Sequence, residues 1–153
     1  MELAIASILK ENRRTVVTIG PEATLQEAAR RMNEERIGSL VVVDDRGEIQ
    51  GILSERDIMR RFADSEDDSR GIEVRHVMTP KEKLIVGQGR DTVEQLMAVM
   101  TRNQVRHIPI LSDSEPFRLE GMISIGDLVK ARLTDTHAEN RLLQDYISGR
   151  YPR

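Results

Sequence analysis

The chain is written twice, and that repetition limits its fold more than any other feature. Thr24-Leu25-Gln26-Glu27-Ala28-Ala29 begins a segment ending in Met32. Sixty-eight positions later Thr92-Val93-Glu94-Gln95-Leu96-Met97 begins one ending in Met100. Leu25, Ala28, Ala29 and Met32, and likewise Val93, Leu96, Met97 and Met100, fall at i, i+3, i+4 and i+7. That spacing predicts one buried stripe on each of two helices. Thr24 with Glu27, and Thr92 with Gln95, read as capping boxes that fix where the helices start. β-rich runs follow, Ser39 to Val43 and His107 to Leu111. Each leads through a polar turn to a second strand ending in Gly51-Ile52-Leu53-Ser54 or Gly121-Met122-Ile123-Ser124. The spacing between copies is now 70, so the second turn holds two additional residues, where an insertion is best tolerated. Strands Val16–Ile19 and Leu84–Gly87 open the copies, and short helices over 57–62 and 127–132 close them.

The repeat unit is therefore β-α-β-β-α. About 50 residues bury too little surface to be stable alone. The expected α+β fold packs the two repeats sheet to sheet with pseudo-twofold symmetry, giving two related clefts. Even the approach to each repeat is echoed, Ile5 to Leu9 corresponding to Val74 to Met78. The pattern divides the chain into a first repeat over 5–62, a polar linker over 63–73, a second repeat over 74–133, and a C-terminal helix and tail over 134–153. In the last, Leu142, Leu143, Tyr146 and Ile147 form an amphipathic stripe ended by Gly149 and Pro152.

Composition narrows the function classes. With 39% hydrophobic and 32% charged residues the chain reads as a soluble domain. Its longest apolar runs fall far short of the roughly 20 residues that cross a bilayer. The absence of a signal pattern and of cysteine places it in the cytoplasm as an expectation, away from membranes. A net charge of −3 gives no long-range attraction for nucleic acid, and four aromatic residues are too few for a base-stacking platform.

Glycine, hydroxyl and carboxylate recur at fixed spacing in Gly51-Ile52-Leu53-Ser54-Glu55-Arg56-Asp57 and Gly121-Met122-Ile123-Ser124-Ile125-Gly126-Asp127. One account is structural, because Ser-x-x-Asp at a strand-to-helix junction is a capping box. The other is a ligand site: a helix N-terminus and a serine hydroxyl suit a phosphate, and an aspartate one turn on can accept hydrogen bonds from ribose hydroxyls.

Both segments fit the CBS-domain ligand motif: glycine, a hydrophobic residue, any residue, Ser or Thr, two more residues, then Asp. From Ile5 to about Leu133 the chain resembles a tandem CBS pair, or Bateman module, of the small standalone bacterial type. The resemblance implies that Asp57 and Asp127 hold ribose and that Ser54 and Ser124 contact phosphate. It also implies that adenine is flanked by Val17, Thr18, Leu40 and Val41 in the first repeat and by Ile85, Val86, Ile108 and Pro109 in the second. The family's hydrophobic-proline pair is kept only as Ile108-Pro109. Arg56, Arg106 and His107 are candidate phosphate contacts, each weighed against an ordinary surface or strand role. Met78-Thr79-Pro80 reads first as local turn structure and second as a cleft wall. His76 and His137 read as structural, since the three histidines have no metal-ligand spacing.

The function expected is a non-enzymatic module that senses energy or redox state through AMP, ADP, ATP, S-adenosylmethionine or NAD(H) and signals to an effector protein. No catalytic cofactor is implied, and the sequence holds no Walker loop or nucleophile elbow. A dimerisation module with empty clefts is the alternative. A homodimer is expected in either case, with Met59, Phe62, Leu142, Leu143 and Tyr146 as candidate contacts.

Overall fold

The computed structural model describes residues 2–12 and 16–134, so the expected terminal helix, with Leu142, Leu143, Tyr146 and Ile147, lies outside the described residues, as does His137. The first half runs α1 (Ile5–Asn12), β1 (Thr18–Ile19), α2 (Leu25–Glu35), β2 (Ser39–Val43), β3 (Ile49–Ser54) and α3 (Glu55–Asp64). Short 3-10 turns at Val74–His76 and Lys81–Lys83 flank β4 (Thr79–Pro80). The second half runs β5 (Gly87–Gln88), α4 (Val93–Asn103), β6 (His107–Leu111), β7 (Leu119–Ser124) and a closing helix, α5, over 125–134.

Two mixed sheets result, in the orders β1-β2-β3-β4 and β5-β6-β7. β1 runs parallel to β2 and β2 antiparallel to β3, as β5 and β7 do to β6. Leu40 faces Leu53 in one sheet and Ile108 faces Ile123 in the other. Both hairpins shift register at the equivalent place, between Val42 and Val43 and between Ile110 and Leu111. The opening strands are shorter than expected. Only Thr18 and Ile19 pair with β2, and β5 pairs through Gly87 and Gln88, leaving 16–17 and 84–86 outside the ladders.

The predicted capping boxes open α2 and α4, with Thr24 and Thr92 accepting from the N3 amides at 3.1 and 3.2 Å. Each stripe is narrower than the sequence indicates. Leu25, Ala28 and Met32 are buried, as are Val93, Leu96 and Met100, whereas Ala29 is exposed and Met97 half-buried. α2 and α4 both end on a residue in the left-handed region, Arg36 (φ 56°) and Gln104 (φ 55°), where glycine is the less strained choice.

The two cores are built by exchange. Ile5 and Ile8 of α1 are buried with Val93, Leu96, Ile108, Ile110 and Ile123 in the core of the second repeat. Val74 is buried with Leu25, Ala28, Leu40, Val42 and Leu53 in the core of the first. Backbone bonds fix both crossings: Ile5 N–H donates to Asp91 O at 2.8 Å, and Val74 N–H donates to Ala23 O at 2.7 Å. Two glycines admit the crossing segments. A Cβ at Gly121 would strike the Leu9 side chain, and one at Gly51 would strike the Thr79 carbonyl and lie 2.8 Å from the Met78 sulfur. Thr79 and Pro80 then pair with β3 as β4, so a segment read first as a turn is an edge strand. Each repeat thus lends its approach segment to the other's core, which interlocks two units too small to stand alone.

Among the described residues no helix is long and apolar enough to cross a membrane.

Candidate functional site

β3 and β7 end on Ser54 and Ser124, and the next residue in each case starts a helix. Ser54 Oγ accepts from Asp57 N–H at 3.2 Å, and Asp57 Oδ2 accepts from Ser54 N–H at 2.8 Å and from Ser54 Oγ at 3.0 Å. Ser124 and Asp127 repeat the reciprocal pair at 3.1 and 2.9 Å. The structural account of the motif therefore holds in both copies: each is a capping box. Because the aspartates sit at N3, α3 and α5 begin two residues earlier than expected, at 55 and 125.

Capping does not bury the motif. Ser54 and Asp57 line a cavity of about 300 Å³, and Ser124 and Asp127 line another of about 320 Å³. Each cavity is walled by both repeats. Glu55 N–H donates to Gly38 O at 2.9 Å, and the equivalent Ile125 N–H donates to Arg106 O at 2.8 Å. The loop before β6 also lines the first cavity, so that Arg106 and His107 border it together with Arg56. The loop before β2 lines the second, so that Arg36 and Asp127 border the same cavity. Gly38, Ser39 and His107 line both cavities, so the two adjoin.

The apolar walls are also crossed. Val17 and Val41 line the cavity that carries the second motif, and Ile85 lines the one that carries the first. Leu40 and Ile108 are fully buried in the two cores. Thr18, Val86 and Pro109 line neither cavity. Strand alternation explains the remaining walls. Leu53 and Ile123 point into the cores, so Ile52 and Met122 point the other way, into the cavities. The strand alternation in the sequence carries that signal, since Ile52 and Met122 each stand one position before a core residue. Lys83, Arg36 and Glu120 also line cavities, and surface charges of this kind carry no periodic signal. Thr79 joins the first wall; His76 is exposed and lines neither cavity.

His107 stands between the cavities, half-buried and opposite Ser124 on the ladder. Burial holds its pKa below the usual 6.5, outweighing the pull of Asp127, with Arg106 adding to the depression and Glu55 opposing it. Burial thus favours the neutral imidazole. Among the described residues no group of three or more His, Asp or Glu is placed to hold a metal ion.

Two interlocked β-α-β-β-α repeats with a Gly-x-x-Ser-x-x-Asp junction at each of two adjoining clefts define a tandem repeat module. The chain belongs to the CBS domain family, which matches residues 6–64 and 74–134. It is 35% identical over 130 residues to the mitochondrial CBS domain-containing protein CBSX3 of Arabidopsis thaliana, covering 84% of this chain but only 62% of that relative's length. A CBS-domain-containing protein from Agrobacterium tumefaciens has a similar crystal structure, with 38% identity, a TM-score of 0.76, and 84% of this chain and 92% of that one covered. Two further structures share the fold at lower identity. The CBS domain pair of MJ0100, in complex with 5′-methylthioadenosine and S-adenosyl-L-methionine, is 18% identical with a TM-score of 0.75, covering 88% of this chain and 99% of that one. CBSX2 in complex with AMP is 19% identical with a TM-score of 0.71, covering 87% and 98%.

Proposed function

We propose that the chain is a non-enzymatic regulatory module that binds adenosine-containing ligands in its two clefts and passes the signal to an effector protein. The observation that carries this reading is the placement of the duplicated motif: both Ser-x-x-Asp caps line cavities at the lower end of the roughly 300–1,000 Å³ range of small-molecule sites. Each cavity joins a helix N-terminus to aliphatic walls, Ile52 and Ile85 in one and Val17, Val41 and Met122 in the other. The first suits a phosphate and the second the faces of a base. Related folds solved with AMP and with adenosyl ligands support the same ligand class.

In this reading Asp57 and Asp127 hold ribose, Ser54 and Ser124 the phosphate side, and Arg56, Arg106 and His107 add polar contacts. Val17, Val41 and Ile85 flank adenine, whereas Thr18, Leu40, Val86, Ile108 and Pro109, which line neither cavity, do not. The functional units are the two repeats over 5–62 and 74–133, and the proposed compartment is the cytoplasm. Reaction chemistry has little to work with, since both serine hydroxyls already serve as helix caps. Acid extraction of the purified protein followed by mass spectrometry tests the ligand class: a co-purified AMP, ADP, ATP, NAD(H) or S-adenosylmethionine supports it.

The chain is also proposed to act as a homodimer. Met59 and Phe62 of α3 are 70% and 57% exposed beside a groove of about 700 Å³ between α2 and α3, and apolar side chains left this open are characteristic of contact surfaces.

A further inference from the structure

The first cleft and the α2–α3 groove share a wall. Gly38 and Glu55 line both, so Glu55 borders the cleft and also the surface that carries Met59 and Phe62. Local structure explains its position. Glu55 is the first residue of α3, and its N–H donates to Gly38 O at 2.9 Å. Its carboxylate lies where a side chain at 38 would stand, since a Cβ there would strike Glu55 Oε1. The seat exists because residue 38 is glycine. The second repeat builds the same backbone bond, from Ile125 N–H to Arg106 O, with neither the carboxylate nor the glycine. Ile125 packs instead against the core of its own repeat.

We propose that Glu55 sets the first cleft and the α2–α3 surface against each other, so that a phosphorylated adenosine in the cleft weakens contact with a second copy of the chain. The proposal rests on the readings of the cleft as an adenosine site and of the surface as a dimer contact. A second copy is the occupant this surface fits. Met59 and Phe62 form an exposed ridge beside a groove on the same face, and a twofold contact needs one patch to supply both. A phosphate drawn to the N-terminus of α3 meets the carboxylate of that helix's first residue, and like charges repel more strongly in a partly enclosed cleft than in water. Arg56, Lys83 and Arg106 line the same cleft and hold the phosphate in spite of Glu55. The groove is the other surface that Glu55 borders. Displaced towards it, the carboxylate joins Ala29, Met32, Ile58 and Met59. A second copy covering that surface must then strip water from a charge. Arg36 on the same groove recovers little of the cost, because a buried ion pair gains about what its desolvation loses. Linkage makes the effect reciprocal: a docked copy that keeps Glu55 on the cleft side weakens the phosphate ligand by the same factor. Adenosine, with no phosphate, leaves Glu55 in its seat.

Sedimentation velocity of the full chain, unliganded and with saturating AMP or adenosine, tests the coupling. Calorimetry with both ligands and the unliganded melting temperature of each variant serve as controls. AMP is expected to raise the dimer dissociation constant by about fivefold or more, and adenosine to leave it unchanged. Glu55→Gln removes the charge; it still dimerises, binds AMP more tightly than the parent, and no longer distinguishes the two ligands in its dimerisation. Gly38→Ala fills the seat of the carboxylate and weakens the dimer without any ligand, and adding Glu55→Gln to it restores the contact. The proposal is overturned if AMP strengthens the dimer or leaves it unchanged, if adenosine shifts it equally, or if Glu55→Gln keeps the AMP effect. A folded Gly38→Ala that dimerises as the parent does overturns it as well. A chain that is monomeric without ligand removes the dimer reading, and failure of both AMP and adenosine to bind removes the adenosine reading. Either takes the proposal with it, and each is distinct from a bound ligand that leaves the dimer unmoved.

Discussion

Asp57 and Asp127 are at once helix caps and cleft walls, and one substitution separates the two roles. Glutamate serves at least as well at N3 of a capping box, so Asp57→Glu and Asp127→Glu leave the unliganded melting temperature nearly unchanged. Each moves the carboxylate by a methylene, spoiling bonds to ribose worth about 1.5–3 kcal/mol apiece and weakening ligand at its own cleft by at least about tenfold. Calorimetry beside thermal melts checks both halves; unaltered binding in both variants reduces the aspartates to caps. His107 gives a pH signature. Its pKa is depressed in the folded state, so the unfolded chain takes up the proton first as pH falls below 6.5. The stability it contributes is full above 6.5 and is lost as pH falls through the folded value. Urea denaturation at about pH 7.5 and about pH 5 should therefore show a smaller acid loss for His107→Gln than for the parent. Equal losses would mean that burial of the imidazole is not linked to folding.

The exchanged segments make a prediction that two independent repeats would not. Ile5 opens the first repeat yet is fully buried in the core of the second. Ile5→Ala should cost about 2–5 kcal/mol, and hydrogen exchange should accelerate first in α4 and β6 rather than in α2 and β2. Faster exchange confined to the first repeat would contradict the exchange of segments. Most element boundaries were legible, because capping boxes, β-rich runs and turn residues are local signals. The exchange was not, since the apolar pattern of Ile5 to Leu9 states that one face is buried but not against which sheet. The opening strands ran short for a related reason: Val16, Val17 and Leu84 to Val86 have strand composition, but their ladder partners end before them.

Dimerisation belongs to the assembled chain. Light scattering at micromolar concentration should give a dimer, and Phe62→Asp should shift it towards monomer by placing a charge on the α3 face. A monomeric parent protein would refute the proposed interface. The site was legible in the same uneven way. The duplicated motif located Ser54, Asp57, Ser124 and Asp127 on two cavities, since spacing alone fixes a strand end against a helix start. Which walls face them depends on how the repeats interlock, and so Val17 and Val41, which share a repeat with the first motif, line the cavity of the second. Arg36, Lys83 and Glu120 are placed by the ends of other elements, where no sequence period marks them.

The proposed function requires that the clefts read adenine. A narrow aliphatic slot with fixed backbone donors and acceptors distinguishes a 6-amino from a 6-oxo group, because the wrong partner leaves buried polar groups unpaired. Calorimetric titration of the full chain with AMP, ATP, NADH and GTP tests this most directly. Saturable binding of at least one adenosine ligand is expected, with GTP weaker by about tenfold or more. Equal affinity for GTP, or no binding of any of the four, would contradict it.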